Sequence, residues 1–164
     1  MIVEPATADD LETVTELWVR LARDQCSHGS YVRPDPNRTA MRETLAAYQA
    51  TDGLLVARVD DDVVGFASFS VERGALELEA TRGSLSNLYV EPDYRGRGIG
   101  STLLEAVEEA FAARDVEVLL LEVMAENEDA RRFYRRHGYD PLRVTMERSL
   151  EGRSENDTHS KEDR

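Results

Sequence analysis

Between Arg95 and Ser101 the chain reads Arg-Gly-Arg-Gly-Ile-Gly-Ser, and those residue types are suited to holding an anion. Glycine has no Cβ, so a phosphate can approach the main chain closely, and guanidinium groups keep their charge at neutral pH. Gly96, Gly98 and Gly100 alternate with Arg97 and Ile99, and from Ile99 onward Leu103, Leu104, Val107 and Phe111 recur at helical spacing. The glycines therefore open a helix, where the first turn leaves N–H groups unpaired and the dipole is positive. A pyrophosphate fits such a place. A tight strand-to-helix turn with no ligand carries the same pattern.

Two other residues have chemistry to offer. Glu122 alternates with Val118, Leu120 and Met124, so a carboxylate ends an apolar row. Partial burial there is expected to raise its pKa toward neutrality and suit it to accept a proton. Glu77 and Glu79 compete for that part, and a solvated carboxylate with no catalytic role fits the pattern equally. Tyr134 shares one helix face with Ala130, Phe133 and His137, so its ring can pack while its hydroxyl points to a cleft. A purely structural tyrosine has the same signature.

The elements that must position these residues follow from periodicity and breakers. Leu88-Tyr89-Val90 is strand-like, and Pro92 ends the strand because it has no N–H for a ladder. Upstream, residues 2–5 read as a short strand. Thr7 and Asp10 look like the cap of a helix carrying Leu11, Val14, Trp18 and Leu21. Gln25 to Pro36 is a polar loop, and Asn37 is placed to cap a second helix with Met41, Leu45 and Tyr48 on one face. Two β-rich runs, 54–59 and 63–71, flank Asp60-Asp61-Asp62, a hairpin signal. Residues 72–83 read either as a strand extension or as an acidic loop. Downstream, 116–125 is apolar on both faces and is expected to lie near the sheet centre. Asn127 caps a short helix that Gly138 ends. Residues 139–150 read as a final strand despite Pro141.

At 164 residues the chain suits one domain over 1–150, followed by a polar tail, 151–164, expected to be disordered. Cys26 is the only cysteine and the histidines number three, so no metal site is expected. No apolar run has membrane-spanning length and no signal pattern opens the chain, which points to the cytoplasm. The net charge of −13 argues against nucleic acid or an anionic membrane as partner. Lys161 is the only lysine; this acidic, lysine-poor balance resembles proteins of salt-rich cytoplasms, while an ordinary acidic cytosolic protein remains the plainer reading.

Two motifs in order, Arg95-x-x-Gly98-x-Gly100 and Asn127-x-x-Ala130-x-x-Phe133-Tyr134-x-x-x-Gly138-Tyr139, give the chain a resemblance to the GCN5-related N-acetyltransferase (GNAT) family over residues 2–150. The resemblance implies an α/β fold of the α+β mixed-sheet kind: strand, two helices, three strands, helix, strand, helix, strand, with the sheet splayed between its fourth and fifth strands. It implies acetyl-CoA as co-substrate, with no metal. Main-chain groups of Leu88, Tyr89 and Val90 would hold the pantetheine arm, with Leu88 and Val90 N–H groups polarising the thioester carbonyl. Arg95, Gly96, Arg97, Gly98, Ile99, Gly100 and Ser101 would hold the pyrophosphate, and Asn127 would contact the pantetheine region. Tyr134 would be the general acid for the departing CoA thiolate. Glu122 stands where members resembling ribosomal-protein N-terminal acetyltransferases carry a base, although Met124-Ala125-Glu126 departs from that subgroup's arginine-containing stretch.

In the family, the segments matching Gln25 to Pro36 and Glu72 to Gly83 shape the acceptor pocket. Here they offer His28, Tyr31, Glu77 and Glu79, which suit a cationic amine. The partner expected is an amine acceptor, small molecule or protein, with a homodimer allowed. The other classes are a non-catalytic CoA-binding or sensing module and a dinucleotide-binding module. The latter fails in detail, because its third glycine would fall at Ser101 and a helical pair with a hairpin precedes the strand.

Overall fold

The computed structural model describes residues 1–74 and 76–151, and the chain falls into two compact units, Met1–Arg131 and Arg132–Arg164. The first unit is built on a five-stranded sheet in sequence order: β1 (Ile2–Pro5), β2 (Leu54–Val59), β3 (Asp62–Val71), β4 (Arg82–Val90) and β5 (Val118–Leu121). The first four strands are antiparallel neighbours, and β4 and β5 are parallel. The hairpin between β2 and β3 turns on Asp60 and Asp61, both at positive φ (49° and 68°), the twist that matches two right-handed strands.

Helices α1 (Leu11–Cys26) and α2 (Arg38–Ala50) cover one face of the sheet. Val14, Leu17, Trp18 and Leu45 pack there with Leu54, Val56, Phe66 and Tyr89 in one buried cluster. Two ion pairs, Arg38 to Glu16 at 2.8 Å and Arg42 to Glu12 at 2.6 Å, fix α2 to α1. The other face carries α3 (Ile99–Ala113), whose Leu103, Leu104, Val107 and Phe111 are fully buried or nearly so. Phe111 meets Phe69 edge to face at 5.2 Å and lies so close to Gly83 that a Cβ there would sit 2.5 Å from its ring. Gly83 is thus the residue that lets α3 rest on β4.

The entry to α1 is set by Asp10, which is buried. Its carboxylate accepts from the Thr7 N–H at 2.8 Å and the Thr7 hydroxyl at 3.3 Å, and Arg58 donates to it at 2.7 Å. Burial pushes the Asp10 carboxyl up, but the Arg58 hydrogen bond, the Thr7 N–H and the Arg58 charge together outweigh it and hold the pKa below its ordinary value.

Three expectations are corrected. The strand expected over 116–125 is only Val118–Leu121 and is an edge strand, with Val118 40% exposed. The final strand expected over 139–150 does not form: Pro141 offers no N–H, and among the described residues no strand pairs with this segment, leaving Leu142, Val144 and Met146 exposed. Asn37 does not cap α2 with its side chain, which donates instead to the carbonyl of Arg33 at 2.8 Å. Residues 72–74 and 76–81 are a loop, and β4 takes in Arg82 and Gly83. The tail expected to be disordered lies, from 152 on, outside the described residues.

The second unit contains the end of α4 (Glu128–Arg136). Gly138 at φ +89° lets the Tyr139 N–H reach the Tyr134 carbonyl (3.0 Å) and the Gly138 N–H reach the Arg135 carbonyl (3.1 Å), a Schellman stop.

Candidate functional site

Pairing between β4 and β5 runs only from Arg82↔Val118 to Leu85↔Leu121, and β4 then continues for five residues with no partner on that side among the described residues. The splay expected between the fourth and fifth strands is therefore present. Its direction of hydrogen bonding follows from one contact, the Glu91 N–H donating to the Val64 carbonyl of β3 at 2.8 Å. Successive peptide groups of a strand face alternate sides, so Tyr89 also faces β3, whereas Leu88 and Val90 turn their N–H and C=O groups into the gap. Of Leu88, Tyr89 and Val90, all three expected to present main-chain groups there, Leu88 and Val90 do so, whereas Tyr89 turns its own toward β3 and its side chain to the α1 face.

At the point where the strands part, the β3 to β4 register skips one residue: Ser68 pairs with Asn87 and Phe69 with Leu85, leaving Ser86 as a bulge. The Ser86 hydroxyl lies 2.7 Å from the Tyr48 hydroxyl of α2, and Asn87 donates its amide to the fully buried Ser68 hydroxyl at 2.8 Å. These polar groups were not singled out from sequence. The signal was the three-residue spacing from Leu85 to Leu88, which breaks a strict two-residue alternation.

The glycine loop follows directly. Gly96 and Gly98 take positive φ (76° and 80°), and a Cβ built on either would meet nothing within 4 Å. Open space therefore lies against the main chain where α3 begins at Ile99, with Gly100 and Ser101 in its first turn. This is the cradle a diphosphate needs, so the residues present fit the group that the motif implies. Arg97 stacks on Tyr94 at 5.1 Å and stays exposed. Arg95 turns the other way: its Nε donates to the Val90 carbonyl (2.8 Å), its terminal nitrogen pairs with Asp24 of α1 (3.3 Å), and its guanidinium stands over the Tyr89 ring at 5.5 Å. A second tie, Arg20 to Glu91, joins α1 to the same strand end. Burial, then the Glu91 and Asp24 carboxylates, push the Tyr89 hydroxyl up.

A cavity of about 410 Å³ opens here, lined by Arg20, Arg23, Asp24, Tyr89, Glu91 and Asp93 together with Pro92. Sequence reasoning missed it, because Arg20 and Glu91 are 71 residues apart and only α1 crossing β4 brings them together. Beyond α1, Gly29 approaches Met124 so that a Cβ on it would lie 3.6 Å from the thioether methyl. The segment between α1 and α2 thus reaches the chain that leaves β5.

Glu122 follows β5 directly and is exposed, as are Glu77 and Glu79. The partial burial expected of Glu122 is not found, because β5 ends at Leu121 and the next two residues face solvent. Glu77 and Glu79 precede the first residue of β4, about 20 Å of extended chain from Leu88. Asn127 caps α4 as expected, its Oδ1 accepting from the Ala130 N–H at 3.1 Å. In the second unit, Tyr134 stands edge to face with Phe133 (5.2 Å) and Tyr139 (5.9 Å), and burial pushes its hydroxyl up to about 12. His28 is half-buried and Tyr31 exposed on the loop after α1.

Among the described residues no helix is long and apolar enough to cross a membrane. A family model described as the acetyltransferase (GNAT) family matches residues 14–139. An uncharacterized N-acetyltransferase of Archaeoglobus fulgidus is 30% identical over 134 residues, covering 82% of this chain and 89% of its own. Among solved structures, a GCN5-related N-acetyltransferase from Ralstonia eutropha is 25% identical at a TM-score of 0.74, covering 92% of this chain and 99% of its own. A predicted acetyltransferase from Clostridium acetobutylicum, solved with acetyl-CoA, superposes at a TM-score of 0.71 with 18% identity, covering 91% and 96%.

Proposed function

Because the chain belongs to the GNAT family of acetyltransferases, we propose that it moves an acetyl group from acetyl-CoA to a primary amine by direct attack in a ternary complex. The observation that carries this reading is the pair of Leu88 and Val90 main-chain groups turned into the gap beside β4, next to a helix start whose glycines leave open space. Acetyl-CoA supplies an activated acyl thioester. Residues 96–101 would bind its diphosphate through first-turn N–H groups, and Leu88 and Val90 would bind the pantetheine arm. An N–H fixed in a dry gap also stabilises the negative charge that develops on the carbonyl oxygen during attack.

Arg95 belongs to this site as a positioning residue, because its hydrogen bond holds the Val90 peptide in place and its pair with Asp24 holds the loop to α1. Arg97 supplies the exposed charge that meets the phosphates. Asn127 sets the start of α4 and contacts the pantetheine region.

Tyr134 would assist the leaving thiolate. At about 12 its hydroxyl remains protonated throughout the neutral range. A thiol of pKa about 8.5 is the stronger acid by roughly 3.5 units, or about 5 kcal/mol, so Tyr134 serves best as a hydrogen-bond donor to the developing charge. The acceptor must be a neutral amine. A lysine-like amine of pKa about 10.4 is only about 0.1% neutral at pH 7.4, roughly 4 kcal/mol, whereas an α-amine near 8 costs under about 1 kcal/mol. Glu122, exposed at the end of β5, would take that proton through water.

The acceptor is a peptide α-amine, a lysine side chain or a small amine. The α1 cavity carries Asp24, Glu91 and Asp93, but Arg20 pairs with Glu91 and Arg95 with Asp24. Glu77 and Glu79 of the loop before β4 are therefore the carboxylates that favour its cationic form. The acidic surface argues against nucleic acid and membranes as partners and suits a salt-rich cytoplasm. Titration calorimetry with acetyl-CoA, followed by mass spectrometry of peptide and amine panels, tests the proposal. Saturable binding and an acetylated product are expected. Absence of binding overturns the co-substrate assignment, and binding without any product favours a CoA-sensing module instead.

A further inference from the structure

Strand β4 changes its facing midway. The Glu72 N–H donates to the Arg82 carbonyl at 2.9 Å, so before the bulge Arg82 and Ser84 turn their peptide groups to β3, and Gly83 and Leu85 turn theirs to β5. After the bulge the Glu91 N–H donates to the Val64 carbonyl, and it is Asn87 and Tyr89 that face β3. The extra residue at Ser86 makes this exchange. Without it, alternation would spend the Leu88 and Val90 groups on β3 and offer the gap those of Asn87 and Tyr89.

Two side-chain hydrogen bonds meet at that step. Asn87 donates its amide to the Ser68 hydroxyl at 2.8 Å, and Ser68 is fully buried on the face that holds Phe66 and Leu54. A hydroxyl in so apolar a place is costly unless it is bonded, and Asn87 is the side chain that bonds it. On the neighbouring residue, the Ser86 hydroxyl lies 2.7 Å from that of Tyr48 in α2. Apolar residues stand on both sides of the step, at Leu85 and Leu88, so alternation alone does not fix where the extra residue falls. We propose that Asn87 is a positioning residue: its bond to Ser68 pins the extra residue at Ser86, and thereby keeps the Leu88 and Val90 peptides turned to the gap. Tyr48 supports the pin from α2. The inference rests on the acetyl-transfer reading, which gives those two peptides their task.

Steady-state kinetics and amide hydrogen exchange of the free protein test this together. Ser68→Ala is the sharpest variant, since Ser68 is fully buried and so touches no substrate. It should lower kcat about tenfold or more, toward the 10²–10³-fold of one lost oxyanion donor, while acetyl-CoA affinity, set at residues 96–101, stays within about threefold. Asn87→Leu should do the same, and the double variant should be no worse than either alone. Ser68→Thr keeps the hydroxyl and should hold kcat within about threefold of the wild type. In exchange, the Tyr89 amide, turned to β3, should lose about tenfold or more of its protection in Ser68→Ala and in Asn87→Leu, relative to the Leu55 amide of β2, which global unfolding would move equally. Additive losses in the double variant, or Tyr89 protection that only follows Leu55 in both single variants, would overturn the proposal. Exchange needs no turnover, so a wild-type protein that transfers no acetyl group overturns the reading of its function, while the pin stands or falls on Tyr89.

Discussion

Arg95 donates its Nε–H to the carbonyl of Val90 at 2.8 Å, so the first arginine of the glycine loop is spent on the end of the strand that precedes it. The loop is held by the main chain of β4 and by Asp24 of α1, while its glycines stay clear of side chains. Charge for a ligand then comes from Arg97 and from the helix start.

That division makes Gly98 the position to perturb. At φ +80° an L-residue is strained by about 1–2 kcal/mol, and a branched side chain would fill the open space. Gly98→Val is expected to weaken acetyl-CoA binding at least about tenfold by calorimetry while the melting temperature falls by only a few degrees. Equal affinity would remove the loop from the binding site.

Tyr134→Phe should lower kcat about 10²–10³-fold, the cost of one lost donor to a developing charge, and leave acetyl-CoA affinity within about twofold. Since burial holds the hydroxyl up to about 12, the wild-type profile should show no loss of activity from Tyr134 between pH 7 and pH 10. A basic limb near 9 that vanishes in the phenylalanine variant would contradict this.

Glu122 is exposed, and water can take its place. Glu122→Gln should therefore cost less than about tenfold in kcat/KM, and more for a lysine-like acceptor than for an α-amine, because only the former must lose a tightly held proton at neutral pH. Identical acid limbs in both proteins, with heights within about threefold, would exclude it as the base.

The cap at the start of α1 should show in acid. Asp10 has its folded pKa below the unfolded value, so the stability it contributes is present above about pH 4 and disappears as pH falls through the folded value. Asp10→Ala should cost about 1–3 kcal/mol at pH 7 and progressively less as pH falls through the folded value, read from denaturant unfolding at several pH values. A constant penalty at all pH would point to lost packing instead.

With a net charge of −13, self-repulsion opposes the compact state, and salt relieves it. Surface ion pairs such as Arg23 to Asp35 weaken in parallel, but each is worth under about 1 kcal/mol. The melting temperature is expected to rise with KCl toward molar concentrations. A flat or falling curve would show that the pairs outweigh the excess charge.

Local signals made much of this molecule legible. The Asp60-Asp61 hairpin, the Asn127 cap, the Gly138 stop and the apolar stripe of α3 each follow from residues within one turn of each other. The loop 95–101 was readable as a helix start for the same reason. What could not be read was long-range: Arg20 meeting Glu91, Tyr48 meeting Ser86, and Arg95 reaching Asp24 depend on how α1 and α2 cross β4. Glu122 and the segment 139–150 show the converse. Alternation says which side of a strand a residue would take, but a strand exists only if a neighbour pairs with it, and pairing is not written in the alternation.

The turning of Leu88 and Val90 peptides into the gap separates two kinds of constraint on one strand. Recognition by main chain is indifferent to which apolar side chain occupies those positions, so an alanine scan of β4 would register packing losses and pass over the hydrogen bonds. Only a change to the peptide itself, such as an ester in place of the amide at 88 or 90, would expose them. The side chains on the other edge are held differently, Tyr89 by the core under α1 and Glu91 by its pair with Arg20. One strand would thus answer to a side-chain scan at 89 and 91 and only to a backbone substitution at 88 and 90.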